Sequence, residues 1–457
     1  MSLIQIYEDL AAAQDTVLRR YAPDEIKVTD RIREGLRAIF GEPLSPEEAV
    51  RRILHDIRQR GDAAVREWTE RIDGVDLADY EIPAERIAAA KEEIDPELLA
   101  AMETAADRIE QFHQHQSIPS WIDMEMGGTL GQIVRPLGRV GIYVPGGTAP
   151  LPSSLLMAAI PARVADVPEI IVTSPPMGEA GTVSPIVLAA AAVAGVDRVF
   201  CVGGAQAIGA MAYGTESLPQ VDKICGPGNL FVTLAKRQVF GVVGIDGLPG
   251  PTETLIIADD VANPENVAAD LLAQAEHDVL ASAILLTPSR ELAEAVQASV
   301  DRRVPELSRS EIITTSLEQR GGIVLTEDVQ QAIALANDYA AEHLCLDVRD
   351  PWSYLELIHN AGGIFVGSIS CEVLGDYVSG PSHIMPTSGT ARFASPQNVF
   401  DFCKITSLVA LNASQVSELV PAAVCIAEAE GLTGHAAAAQ ARAIASHADA
   451  EPEEDVE

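Results

Sequence analysis

From Gly128 onward the chain repeats one texture: a short run of β-branched residues, then Gly or Pro, then an Ala- and Leu-rich stretch with helical spacing. Strands that alternate with helices in this way build a largely parallel sheet. A first series places strands at 140–144, 170–173 and 198–202, with helices near 153–166, 184–194 and 205–213 and a closing run at 222–225. A second series places strands at 255–258, 283–287, 322–326, 344–348 and 364–366. The expected fold is α/β, with two tandem Rossmann-like domains, each an incomplete, mostly parallel sheet, and helical N-terminal and C-terminal extensions. Residues 31–115 read as a helical lead-in, for example Val50, Ile53, Leu54 and Ile57, with one short strand near 76–82. From Gln397 onward the pattern is helical with little β character, and residues 451–457 read as a disordered acidic tail.

Charge narrows the partners. The 457 residues carry 31 Lys and Arg against 67 Asp and Glu, a net −36, which repels polyanions and leaves nucleic acid and anionic membranes without an attractive surface. The longest strongly apolar stretch, 186–196, is far too short to cross a bilayer. The N-terminus lacks the basic and apolar regions of an export signal, and the six cysteines form no CxxC pair. A cytoplasmic protein with reduced thiols is expected. Cys225, before Gly226-Pro-Gly228, reads as a buried structural thiol, and His113 and His115 as solvated surface residues.

Four polar clusters stand out, each with a plain structural reading beside the chemical one. Gln274 and His277, three apart at the close of a helix, share a face and can meet one metal ion, or form an ordinary polar surface. Glu342 and His343 stand directly before a strand, where they can serve as two general bases or as a helix end and a half-buried imidazole. Gly375 to Pro386 reads as a loop carrying Asp376 and His383. His435 follows a Gly-Leu-Thr-Gly turn from which it could reach another subunit. Pro145-Gly-Gly-Thr148 follows a strand and precedes a helix start, an anion site or simply a tight turn, and no GxGxxG fingerprint is present.

Taken jointly, these segments resemble the histidinol dehydrogenase family. The carrying stretches are Gly138 to Gly147, Gly203 to Ile208, Ile224 to Asn229, Gly250 to Glu253, Gln274 to His277, Ala341 to Leu344, Gly375 to Pro386 and Glu430 to His435, in family order. The resemblance implies a zinc site of Gln274, His277, Asp376 and His435, the last supplied across a domain-swapped homodimer. It implies NAD contacts at Tyr143, Gln206 and Asn229, and substrate contacts at Thr252, His383 and Glu430 besides His343 and the zinc ligands. The implied reaction takes L-histidinol through L-histidinaldehyde to L-histidine, the last two steps of histidine biosynthesis, with two NAD⁺ consumed at one site. His343, with an ordinary imidazole pKa near 6.5, would accept protons in both oxidations, and Glu342 would activate water in the second. Thr252 and Ser382 depart from the residues common in the family, which leaves open a related enzyme of another small alcohol such as dihydroxypropanesulfonate. A metal-dependent hydrolase is a further alternative.

The matching domain expectation is a helical extension at 1–37, a large α/β domain of 38–138 and 254–396 holding the zinc and catalytic residues, and an NAD-binding α/β domain at 139–253. A helical tail at 397–446 would complete the partner's site, followed by the acidic tail at 447–457.

Overall fold

The computed structural model describes residues 2–20, 29–146, 151–177 and 181–448, with 444–448 as backbone only. Gly147 and Thr148 of the Gly-rich turn, and residues 449–457 of the acidic tail, lie outside the described residues.

Both series of strands form as parallel sheets. In the first, the order is Glu81–Ile82, Arg198–Cys201, Ile170–Ser174, Val140–Tyr143, Lys223–Cys225 and Gly244–Ile245, parallel except for the short Glu81–Ile82 edge. Apart from the Glu81–Ile82 edge, sequence order runs outward from Val140–Tyr143 in both directions, so its boundary with Lys223–Cys225 is the topological switch point. Crevices at the carboxyl ends of such strands are where ligands bind in open α/β sheets. The second sheet runs Ile6–Tyr7, Gly322–Leu325, Ser282–Thr287, Glu253–Ala258, His343–Asp347 and Gly363–Val366, parallel throughout. Its central strands are buried at nearly every position, as continuous apolar runs require when helices cover both faces.

The chain divides into two compact units. One comprises the residues up to Gln116 together with Leu137–Phe402, and contains both parallel sheets. The other comprises Ser117–Pro136 and the chain from Cys403, and here the sequence reading is corrected. Cys403–Leu411 is not helical; it is a strand of nine residues that pairs antiparallel with Gly128–Pro136, itself paired with Trp121–Asp123. Its Ile405-Thr-Ser-Leu-Val run is rich in β-branched residues, and long-range pairing overrides the helical context on either side. Helices Ala413–Ala429 and Thr433–Ala448 follow.

His113 is a second correction. It lies in the Pro96–Gln114 helix, fully buried, with Nδ1 2.7 Å from the Ile109 carbonyl oxygen, and burial lowers its pKa; only His115 is exposed. The alternating HxH pattern puts the two rings on opposite sides of the helix, one of which faces the core.

Candidate active site

Glu342 and His343 are held at the head of a strand by a tight backbone reversal. The Val329–Tyr339 helix ends in Ala340 at φ +52°, a left-handed conformation that costs a non-glycine residue about 1 kcal/mol. Arg20 clamps this corner: its guanidinium donates to the carbonyls of Tyr339 and Ala340, lies 3.5 Å from the centre of the Tyr339 ring and pairs with Glu253. The chain then enters His343–Asp347 beside Glu253–Ala258, in register Thr254 to His343. The reactive groups therefore stand at the amino ends of these strands.

Both side chains are buried. The Glu342 carboxylate accepts from the Thr252 hydroxyl at 2.6 Å and from the Glu253 N–H at 3.0 Å. Burial pushes its pKa up to about 7, against the lowering influence of His343 and these two donors. His343 places Nδ1 3.1 Å from the Glu253 carbonyl oxygen and Nε2 3.1 Å from Asp376 Oδ1. Burial alone would lower the imidazole pKa, but Glu372, Glu342 and Asp376 together raise it to about 10. The ordinary value expected from sequence does not hold, because three carboxylates surround one ring.

The helix Pro264–Ala275 brings Gln274 to the same place. Asn263 caps it by accepting from the Glu265 N–H, and Pro264 opens it. Gln274 is fully buried near its end, and His277 lies just beyond, in a turn where its N–H reaches the Gln274 carbonyl at 3.3 Å. Oriented so that both ends are satisfied, the Gln274 amide donates to Glu372 at 2.7 Å and accepts from the Glu253 N–H at 2.6 Å. His277 is exposed, yet the protein packed around it still lowers its pKa, and Asp376 pulls in the opposite direction. Asp376 is not on a loop as read from sequence. It belongs to the helix Glu372–Tyr377, whose Gly375 disguised the pattern. Burial alone would raise the Asp376 pKa, but the hydrogen bond from His343 and the charges of His343, His383 and His277 together hold it below the usual carboxylate range.

Glu372 is the residue that sequence reasoning missed. It is buried, bonded to the Thr254 hydroxyl, and raised to about 7 by burial. Its ligand atom and those of His343 and Asp376 lie within 4.8 Å of one another. The available signal was its spacing of four before Asp376, one helical turn. One imidazole and several carboxylate and amide oxygens form a donor set suited to zinc, manganese or cobalt. His383 joins the site from the following segment, with Nδ1 2.6 Å from the Asp376 carbonyl oxygen and Nε2 3.2 Å from the Ser154 hydroxyl. Ser382 is buried and bonds the Met157 carbonyl at 3.3 Å. Ser154 and Met157 lie on the Pro152–Val164 helix, so the first sheet's helical layer reaches the groups at the edge of the second.

Tyr143, Gln206 and Asn229 gather at the carboxyl edge of the first sheet. Buried Tyr143 ends the central strand, and its hydroxyl accepts from the Gly204 N–H at 3.2 Å. Asn229 caps the Leu230–Val239 helix, accepting from the N–H groups of Phe231 and Val232, which leaves its own amide hydrogens as donors. Gln206 is fully buried; its Nε2 donates to Asp73 Oδ2 at 3.0 Å, and its Oε1 has no partner among the described residues. An orphaned buried acceptor beside a strand switch point fits a coenzyme with hydrogen-bond donors. The Gly226-Pro-Gly loop is fixed by the buried pair Lys236–Asp246: Lys236 Nζ donates to the Gly226 carbonyl at 3.0 Å, and Asp246 accepts from the Gly226 N–H at 2.7 Å. Gly226, at φ +106°, lies against the Tyr143 carbonyl where a Cβ would collide. Cys225 is fully buried and its pKa driven well up, as expected of an inert thiol.

Glu430 and His435 belong to the other unit, at the end of Ala413–Ala429 and in the first turn of Thr433–Ala448, and both are exposed.

The family model described as histidinol dehydrogenase matches residues 42–443. A histidinol dehydrogenase of Deinococcus radiodurans is 52% identical over 435 residues, covering 94% of this chain and 98% of its own length. One from Thermus thermophilus is 50% identical over 416 residues, 91% of this chain and 98% of the relative. The crystal structure of histidinol dehydrogenase from Elizabethkingia anophelis superposes with a TM-score of 0.88 at 34% identity, covering 97% of this chain and 98% of that one.

Proposed function

The chain belongs to the histidinol dehydrogenase family and is an oxidoreductase; from that premise we propose that it oxidises L-histidinol through L-histidinaldehyde to L-histidine, using two NAD⁺ and one zinc per subunit. The observation that carries this reading is the pairing of Glu342 and His343, adjacent in sequence but held in different electrostatic environments beside a set of metal-binding donors. When bound, zinc supplies a charged anchor for substrate nitrogens, and NAD⁺ takes a hydride in each oxidation.

The chain's own groups do the rest. Gln274, His277 and Asp376, with His435 of the partner subunit, are the proposed ligands. Asp376, after Glu372 and Glu342, is one of the three carboxylates that hold the His343 proton; as a metal ligand it would share its charge with the metal, which would bring the imidazole toward the range of a working base. His343 then accepts the alcohol proton in the first oxidation and the diol proton in the second. Glu342, fixed by Thr252 and the Glu253 N–H and half-ionised near neutral pH, takes a proton from the water that attacks the aldehyde. Thr252, His383 and Glu430 contact the substrate, while Tyr143, Gln206 and Asn229 hold NAD.

A homodimer follows from the same reading. In the smaller unit Ile405 and Val409 face the same side of their strand, 52% and 67% exposed, an apolar face suited to burial against a second copy. Buried Cys201, Cys225 and Cys345 accord with a reducing cytoplasm, and no helix among the described residues is long and apolar enough to cross a membrane. The relatives matched lend no support to the dihydroxypropanesulfonate alternative.

The deciding experiment is NADH release at limiting histidinol, with and without chelator. The expected yield is about two NADH per histidinol, lost with chelator and restored by zinc; a yield of about one would refute the four-electron assignment.

A further inference from the structure

We propose that Asp73 is a coenzyme-binding and specificity-determining residue: one carboxylate oxygen orients Gln206, and the other accepts a hydroxyl of the coenzyme ribose and excludes a coenzyme phosphorylated there. This rests on the reading that the first sheet binds NAD.

Asp73 ends the Asp62–Asp73 helix, outside the sheet, and Gly74 at φ +73° turns the chain away immediately after it. Its side chain is partly buried, its Oδ2 accepts from Gln206 Nε2 at 3.0 Å, and no hydrogen bond reaches Oδ1 among the described residues. No cation faces it. Burial raises its pKa to about 6, and the Gln206 amide alone opposes that shift. A carboxylate taken out of water without a counter-ion is costly unless donors arrive to satisfy it.

Its position says where those donors come from. Asp73 lies close enough to Tyr143 and Cys201 for its charge to raise both of their pKa values, and these residues end two neighbouring regions of the sheet's carboxyl edge. Tyr143 ends the strand at the switch point and holds the Gly204 N–H, two residues before Gln206. Gly146 and Gly203 both approach Pro175 so closely that a Cβ on either would collide, so the loops after three successive strands converge here. Gln206 is fully buried, with Oε1 unpartnered. Turning the amide over would put that oxygen against the carboxylate, so Asp73 dictates which end of Gln206 is left for a ligand.

In dinucleotide folds that carry GxGxxG, an acidic side chain on the following strand accepts the ribose hydroxyls. This chain lacks that fingerprint, and Asp73 supplies the acid from a helix packed on the sheet. A ribose diol offers donors to a carboxylate; a phosphate in the same place meets like charge.

The test measures dissociation constants of NAD⁺ and NADP⁺ by calorimetry for the zinc-loaded dimer and for Asp73→Asn and Asp73→Ala. Removing a partly buried carboxylate with a raised pKa relieves a desolvation cost, so neither variant is expected to lose its fold, and unchanged zinc and histidinol affinity confirms this. NAD⁺ should bind about ten- to a hundredfold more weakly to both variants, while NADP⁺ binds as well as before or better. Asp73→Asn, which still accepts from Gln206, should retain more NAD⁺ affinity than Asp73→Ala. Equal weakening of the two coenzymes, or no change in either, overturns the assignment. Failure of the unaltered protein to bind NAD⁺ at all overturns the underlying coenzyme reading instead.

Discussion

His343 shows how far a single residue can be moved from its ordinary chemistry by its neighbours. Its sequence position advertises a base, yet Glu372, Glu342 and Asp376 hold it protonated in the metal-free protein. The expected outcome of adding zinc is a fall in the His343 imidazole pKa, followed by NMR; a pKa that stays near 10 would remove His343 from the role of base. Glu342 is displaced in the same direction but for a different reason, upward by burial to about 7. A carboxyl accepts a proton only when ionised, so aldehyde oxidation should climb as pH rises through about 7 and fall below it, read from stopped-flow rates on histidinaldehyde. Glu342→Gln should slow that step by about a hundredfold or more and leave alcohol oxidation largely intact, whereas His343→Asn should impair both. Equal losses in both steps for Glu342→Gln would contradict the division of roles.

At the scale of elements, the two sheets present their opposite edges to chemistry. In the proposed reading the first uses the carboxyl ends of its strands, and the second the amino ends, at Thr252 and Glu342, with Gln274 delivered by a helix returning to that same edge. Most of these elements were legible: apart from the two-residue edge strands Ile6–Tyr7 and Gly244–Ile245, which were not read, the parallel strands lie within a residue or two of the positions read from alternation. The strand Cys403–Leu411 and the helix Glu372–Tyr377 were not. One is created by pairing with a partner more than 250 residues away, and the other carries a glycine that breaks the helical pattern. The Gly226 loop is the element most dependent on a buried charge pair. Lys236→Met leaves Asp246 buried without its partner, at a cost of about 3–5 kcal/mol in denaturant unfolding, and should loosen NAD⁺ binding as well. A cost below about 1 kcal/mol would show that the pair does not hold the loop.

For the whole molecule, the decisive question is whether each site is shared between subunits. Glu430 and His435 sit in a unit distinct from the one that holds Glu342, His343, Gln274 and Asp376. If His435 of the partner subunit completes each site, His435→Asn and Glu342→Gln chains are each inactive alone in the full four-electron reaction. Refolded together they should regain about a quarter of the normal activity, because half of the dimers carry one intact site of two. No recovery in a mixture shown to exchange subunits would mean that His435 serves its own chain.

The sequence by itself determined the α/β class, the two series of parallel strands and most of the residues that meet in the candidate site, because hydrophobic periodicity and local turn chemistry are written in consecutive residues. Only the tertiary structure decided how those residues are charged and paired. Glu372 beside Gln274, Asp73 beneath Gln206 and Arg20 at the Tyr339–Ala340 corner are contacts between distant segments. Burial and neighbouring charge, which set each pKa, exist only once those segments meet.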